Sequence, residues 1–327
     1  MRNYIKDRIS ILAPVYNGAA HLDYFFSAVK AQKYNDYELV VVNDGSTDNT
    51  AEILRSYKEQ FEAQGKSFVY LEQENKGVAA AVNLALKNFT GEFLTWIDSD
   101  DIIQPDFLSA QKAALDEHPE CMFSMATKTN SVSEGDLQKI KNSFERKINR
   151  ENDSLFDDVV FGNNIKYALV HFVVRAAFFE RVFPEMRIYE NCGGQNWQLA
   201  LPLIYHGKWV YVDELLYTVV NRKTSHSAEN TFVKDDEHEK KYKEILTVVL
   251  KNLLTADEWK EYSARLQQHY DLKFLRNAYI WNVRKVFLSR YKDYVRAYGK
   301  TREINNYKII MSIPFGKKIY TAFKRFF

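Results

Sequence analysis

Four short apolar runs, each closed by a polar turn and three of them followed by a helical stretch, fill the first hundred residues. This alternation limits the fold more than any other feature of the chain. Ile9 to Ala13 ends at Pro14, as a buried strand does. Ala19 to Gln32 has helical spacing, with Leu22, Phe25, Phe26 and Val29 on one face. Tyr37 to Val42, Phe68 to Leu71 and Phe93 to Ile97 repeat the strand pattern, and Asp48 to Phe61 and Val78 to Lys87 repeat the helical one. Strands alternating with helices predict an α/β fold with a doubly wound, mostly parallel sheet. Ligands of such sheets bind beyond the carboxyl ends of the strands. The polar clusters sit at those ends: Tyr16-Asn17, Asn43-Asp44-Gly45-Ser46, and Asp98-Ser99-Asp100-Asp101.

Later segments are less regular. Residues 128–165 are polar and weakly periodic, which predicts an insertion or long loop with some helix. Trp197 to Tyr205 reads as a helix, and Trp209 to Val220 as two strands meeting near Asp213-Glu214. From about Asn230 the pattern is helical, with Thr255 to Glu258 forming a capping box. Two domains are expected, 1–228 and 229–327. Apolar residues make up 46% of the chain, enough for a real core. A net charge of +2 gives no reason to expect nucleic acid as a partner. Cys121 and Cys192 have neither zinc nor disulfide-framework spacing, and a reduced, cytoplasmic setting is expected. The segment Met1 to Asp7 has no apolar core of a signal peptide. His171 and Arg175 break the most apolar stretch, Tyr167 to Phe179, which is too short and polar to span a bilayer.

The acidic cluster Asp98-Ser99-Asp100-Asp101 carries the strongest chemistry. Alternating carboxylates on an extended segment can converge on a hard divalent ion such as Mg²⁺ or Mn²⁺, which bridges to diphosphate oxygens. Taken alone, such a short motif is more often a solvated acidic turn. Asp44 can accept hydrogen bonds from a base or ribose, Gly45 permits a tight turn, and Asp48 can cap the next helix. Asn75-Lys76-Gly77 either offers amides and a lysine to a phosphate or merely starts a helix.

Taken together and in order, Ala13 to Asn17, Val42 to Asp48, Asn75 to Gly77 and Asp98 to Asp101 resemble the motif set of family 2 glycosyltransferases with the GT-A fold. The resemblance is clear over residues 8–125 and looser to 227. It implies a bacterial enzyme of cell-surface polysaccharide type that moves a sugar from a nucleotide-diphosphate donor, a UDP-sugar, to a glycan or lipid-linked acceptor with inversion. Pro14, Tyr16, Asn17 and Asp44 would line the nucleoside pocket, with Asn75, Lys76, Gly77 and Ser99 beside the donor. Asp98 would contact ribose or metal, Asp100 would hold Mn²⁺ or Mg²⁺, and His226 would complete the metal site. Arg222 would meet the diphosphate.

One departure stands out. Inverting members carry a Glu-Asp pair at the start of a late helix, and one carboxylate is the general base. Here Gln195 and Asn196 hold those positions, in a Gly-Gly-Gln-Asn-Trp-Gln segment similar to that of a subset of bacterial members. Either Glu190, Asp157 or Asp158 supplies the carboxylate, or the acceptor is acidic enough to need none, or the chain is a non-catalytic nucleotide-sugar-binding partner subunit. A nucleotidyltransferase is a weaker rival, since Pro14 to Asn17 replaces the Gly-rich loop it needs after the first strand. The helix from Val78 also lacks an arginine that many relatives place near the position of Asn83.

After Glu303 the chain has no acidic residue but has Lys308, Lys317, Lys318, Lys324 and Arg325. At a helical pitch, Ile319, Tyr320, Ala322, Phe323, Phe326 and Phe327 fall on one face and the cations on the other. This predicts a peripheral helix on the inner face of the cytoplasmic membrane, where a lipid-linked acceptor would also lie.

Overall fold

The computed structural model describes residues 2–136, 142–145, 155–162, 171–190, 194–222 and 231–312, within two compact units, Met1–Ser225 and His226–Phe327. The first unit opens with β1 (Ile5–Val15), α1 (Leu22–Lys30), β2 (Tyr37–Asp44), α2 (Thr50–Ala63), β3 (Ser67–Gln73), α3 (Val78–Asn88) and β4 (Gly91–Trp96). All of β2 and residues Ile9 to Ala13 of β1 are buried, because helices cover both faces of the sheet. That explains why these strands read as unbroken apolar runs. α1 starts three residues later than its periodicity suggests. Gly18 to His21 form a turn instead, with the Gly18 amide donating to Thr50 Oγ1 at 2.8 Å.

There follow β5 (Ile102–Ile103), α4 (Phe107–Glu117), β6 (Phe123–Ser133), β7 (Asn142–Glu145), α5 (Leu155–Phe161), β8 (Phe172–Arg175), α6 (Ala176–Val182), α7 (Gln195–His206) and β9 (Trp209–Asn221). The strands form one sheet in the order β3-β2-β1-β4-β8-β6-β9-β5, with β7 pairing β6. Pairing is parallel from β3 through β4. β8 then runs antiparallel to both β4 and β6, and β6 is parallel to β9. The carboxyl ends of β1, β2, β4, β6 and β9 therefore share one edge.

Two expectations change here. The segment expected as a loop from residue 128 continues as strand β6 to Ser133. Its alternation is hidden because Thr127, Thr129, Asn130 and Ser131 are all buried. Residues 209–221 form one strand, not two. The register of β9 slips against β6 between Val212 and Leu215, and this bulge absorbs Asp213-Glu214. Asp213 is held there by Thr127 Oγ1 at 2.9 Å and Lys128 Nζ at 3.1 Å.

At the opposite edge of the sheet, Glu38 is buried to 1% exposure yet fully hydrogen bonded. It accepts from Ser10 Oγ, from the Thr90 amide and hydroxyl, and from the Gly91 amide at 2.5–3.2 Å. One carboxylate thus joins β2 to β1 and to the start of β4.

The second unit comprises α8 (Phe232–Leu253), α9 (Ala256–Ile280), α10 (Arg284–Tyr298) and α11 (Arg302–Ser312). The capping box at Thr255 and Glu258 is formed. Leu275, Ala278, Phe287, Tyr291, Ile304 and Met311 make the core of α9 to α11. The buried Asp236 of α8 pairs with Arg290 of α10, whose Nη1 also donates to the Phe274 carbonyl of α9 at 2.6 Å. Among the described residues no helix is long and apolar enough to cross a membrane.

Candidate active site

The loops after β1 and β2 are stitched together by hydrogen bonds between side chains and backbone. Asn17 takes a positive φ of 49°. Its amide donates to Ser46 Oγ at 2.9 Å, and its side-chain oxygen accepts from the Thr47 amide at 2.8 Å. The polar faces of Asn17 thus brace the second loop. Tyr16 stays 44% exposed beside it, and Pro14 is half-buried.

Asp44, at the end of β2, is buried and anchors a third segment. Its carboxylate accepts from the Lys76 and Gly77 amides, both at 2.9 Å, and from Gln73 Nε2 at 2.7 Å. The two amides expected to face a phosphate therefore face Asp44. Three of the roughly four acceptor directions of the carboxylate are occupied. Gly45 makes this approach possible. It has a φ of +65°, and a Cβ there would lie 2.5 Å from the Asn75 amide nitrogen. Asn75 and Lys76 themselves are exposed.

The acidic cluster divides into two parts. Asp98 and Asp100 are half-buried, Ser99 is 7% exposed, and Asp101 is turned inward. Asp101 accepts from Tyr217 Oη at 3.0 Å and from the Val220 amide at 2.9 Å, fastening the loop after β4 to β9. Burial, then the charges of Asp100 and Asp98, raise its carboxyl well above the usual carboxylate range. Burial and the neighbouring Asp100 push Asp98 up to about 7. Asp100 pairs with Arg222, which follows directly on β9. Arg222 Nη1 lies 3.1 Å from His21 Nδ1, and Tyr24 Oη donates to the Asp100 carbonyl at 3.0 Å. Burial, then the Arg222 charge, lower the imidazole of His21. His21 and Tyr24 escaped the sequence reading, since a lone histidine at a helix start carries no signal.

Two neighbouring, half-buried carboxylates call for a cation, and Asp98 and Asp100 offer the oxygen donors that a hard divalent ion prefers. In this structure the Arg222 guanidinium supplies positive charge at Asp100, and its buried Nε has no partner among the described residues. The residues fit a divalent ion and an anionic diphosphate. Among the described residues no group of three or more His, Cys, Asp or Glu side chains is arranged to hold a metal. His226, expected as a third ligand, lies outside the described residues, as does Cys192.

The amides in place of the Glu-Asp pair have separate roles. Gln195 is the first residue of α7. Asn196 Oδ1 accepts from the indole of Trp96, at 3.2 Å, tying α7 to the end of β4 two residues before Asp98. Glu190 is exposed, and its Oε1 accepts from Nδ2 of the buried Asn83, on α3, at 3.0 Å. Asp157 and Asp158 lie on α5.

Comparison with known proteins bears on this arrangement. Residues 10–180, just over half of the chain, match the model of Glycosyl transferase family 2. The chain is 28% identical over 224 residues to glycosyltransferase GlyA of Streptococcus pneumoniae, covering 68% of this chain and 32% of that protein. It is 36% identical over 105 residues to glycosyltransferase GlyG of the same species, covering 32% of this chain and 34% of that one. The chain thus spans about a third of the length of these relatives. Among solved structures, Staphylococcus aureus TarS 1–349 in complex with UDP-GlcNAc superposes with a TM-score of 0.59 at 18% identity, over 89% of this chain and 81% of that one. Mannosyltransferase PcManGT from Pyrobaculum calidifontis, in complex with GDP-Man and Mn²⁺, gives 0.55 at 13% identity, over 98% and 85%. At such identities the likeness is one of fold, the GT-A type.

Proposed function

The chain belongs to glycosyl transferase family 2, and from that premise we propose that it moves a sugar from a UDP-sugar to a hydroxyl of a glycan or lipid-linked acceptor, with inversion and with a divalent cation. The observation that carries this reading is the convergence of Asp98, Asp100 and Arg222 at the shared carboxyl edge, next to the hydrogen-bonded loops of Asn17 and Asp44. The likeness to TarS with UDP-GlcNAc supports UDP as the nucleotide, and that to PcManGT with Mn²⁺ supports the cation.

In this reading Tyr16 offers an aromatic face to the base, and Asp44 keeps one acceptor direction for a base or ribose donor. Asp98 and Asp100 would hold Mn²⁺ or Mg²⁺, which when bound would supply Lewis-acid neutralisation of the diphosphate. Arg222 would meet the same diphosphate with its guanidinium, beside Asp100. The acceptor oxygen attacks the anomeric carbon as the bond from that carbon to the diphosphate oxygen breaks. The electron pair leaves with the nucleoside diphosphate, and Glu190 takes the acceptor's proton. Asn196 cannot be that base: it is an amide, and its oxygen is already held by Trp96. We assign the basic, aromatic end of the chain, residues 317–327, to the inner membrane surface, where a lipid-linked acceptor is found. That segment lies outside the described residues.

A thermal-stability screen of UDP-GlcNAc, UDP-glucose, UDP-galactose and GDP-mannose with Mn²⁺ tests the reading, because a ligand of the native state raises its stability by mass action. A UDP-sugar is expected to stabilise the chain most and to release UDP on incubation, with water taking the glycosyl group where no acceptor is present. Stabilisation without any UDP release would favour the partner-subunit reading. No stabilisation by any of the four would overturn both.

A further inference from the structure

Ile188 to Glu190 lie between α6 and α7 and pair with no strand among the described residues. Side-chain amides pair with them instead. Asn83 is 3% exposed. Its Oδ1 accepts from the Ile188 amide at 2.7 Å, and its Nδ2 donates to the Ile188 carbonyl at 2.9 Å. Gln198 of α7, equally buried, repeats the arrangement one residue on. Its Oε1 accepts from the Tyr189 amide at 2.8 Å, and its Nε2 donates to the Tyr189 carbonyl at 3.1 Å. A carboxamide carries the same donor and acceptor as a peptide group, so each amide does for one residue what a neighbouring strand does for a whole segment.

The second N–H of Asn83 does something else. It donates to Glu190 Oε1 at 3.0 Å. Both N–H groups of the Asn83 amide are then engaged, one on the backbone that leads to Glu190 and one on its carboxylate. Nothing in sheet geometry requires the second bond, because Glu190 is exposed and water would otherwise solvate it. A general base must hold one oxygen at the acceptor hydroxyl within hydrogen-bond reach. An unrestrained glutamate on an exposed turn samples many rotamers.

We propose that Asn83 is a positioning residue for transfer. It fixes one oxygen of Glu190 and leaves the other for the acceptor hydroxyl, while Gln198 fixes the backbone beside it. This rests on the reading of Glu190 as the base. It also gives a use to the position near which relatives carry an arginine: here α3 reaches the base side of the site through an amide.

The test is a double-mutant cycle of Asn83→Ala and Glu190→Gln, with Asn83→Ser in place of the alanine if that variant does not fold. UDP affinity is measured by calorimetry with Mn²⁺. UDP release is measured from the donor that stabilises the chain most. N83A is expected to bind UDP within about twofold of the parent, and to lose about tenfold or more in kcat with an unchanged donor KM. In the E190Q background it is expected to cost nothing further, because its effect runs through the carboxylate. Full UDP release by E190Q overturns the base assignment and this proposal with it. Depressed release by E190Q beside normal release by N83A overturns the positioning role alone. An equal loss from N83A in both backgrounds, or a parallel loss of UDP affinity, assigns Asn83 to structure only and also overturns it.

Discussion

Replacing Gly45 by alanine isolates the contact that holds the donor loops in place. Two glycines of this unit share the same backbone requirement but differ in surroundings. Gly45 has a φ of +65° and Gly65 a φ of +71°. Alanine at either position meets the left-handed penalty, about 1 kcal/mol. At Gly65 a new Cβ finds nothing within 4 Å. At Gly45 it would lie 2.5 Å from the Asn75 amide nitrogen and 3.1 Å from the Glu74 carbonyl carbon. Both obstacles are backbone, so relief requires one loop to move by most of an ångström. Overpacking of that kind costs about 1–3 kcal/mol more. G65A should therefore lose about 1 kcal/mol in urea denaturation and G45A about 2–4 kcal/mol. The functional difference should be larger still. Asn75 leads directly into the Lys76 and Gly77 amides that hold Asp44, so moving it removes two donors from that carboxylate. UDP affinity by calorimetry should fall about tenfold or more in G45A, equivalent to about 1.4 kcal/mol, and stay unchanged in G65A. Equal destabilisation of the two variants, or G45A binding UDP like the parent, would refute the reasoning.

Four further outcomes follow from the same structure. Asp100→Ala should abolish the Mn²⁺-dependent part of UDP binding, and unchanged calorimetric binding with Mn²⁺ would contradict the cation assignment. His171 is buried against the Tyr217 ring, and burial lowers its imidazole to about 3. The unfolded chain takes up this proton below about pH 6.5 while the folded chain does not until about pH 3, so stability falls as pH falls through that window. Between pH 6 and 4 the loss from this group is about 2–3 kcal/mol. His171→Gln should flatten the stability profile there, and identical slopes would reject the account. Asp236→Ala should cost about 2–3 kcal/mol by leaving Arg290 unpaired, whereas the double change Asp236→Leu with Arg290→Met should recover most of it in chemical denaturation. Removing residues 313–327 should release the protein from anionic phosphatidylglycerol vesicles, and persistent co-sedimentation would reject the tail as the anchor.

The strand-end motifs were legible because the chemistry of the edge is local: a polar cluster after an apolar run marks a carboxyl terminus of a strand. That logic located Asp44, Asp98, Asp100 and the loops around Asn17. It could not say where each side chain turns. Asp100 and Asp101 are adjacent, yet one meets Arg222 and the other faces inward to Tyr217, a division set by β9 more than a hundred residues later. The same distance hid Asn83, whose partners lie 105 and 107 residues away. Strand β6 escaped for a different reason. Its buried Thr129, Asn130 and Ser131 look like loop residues, and only the pairing of β6 with β7, β8 and β9 shows them to be strand. The Asp213-Glu214 pair, read as a strand break, is a bulge because β6 continues past it on the other side.

The Glu38 cluster has a consequence for how such a scaffold changes over time. By welding three strands at the amino edge, it gives the frame a set of hydrogen bonds that owes nothing to the loops of the opposite rim. Rim segments exchanged between relatives would then leave this anchor untouched, so that the cost of each exchange is confined to the contacts the rim itself makes.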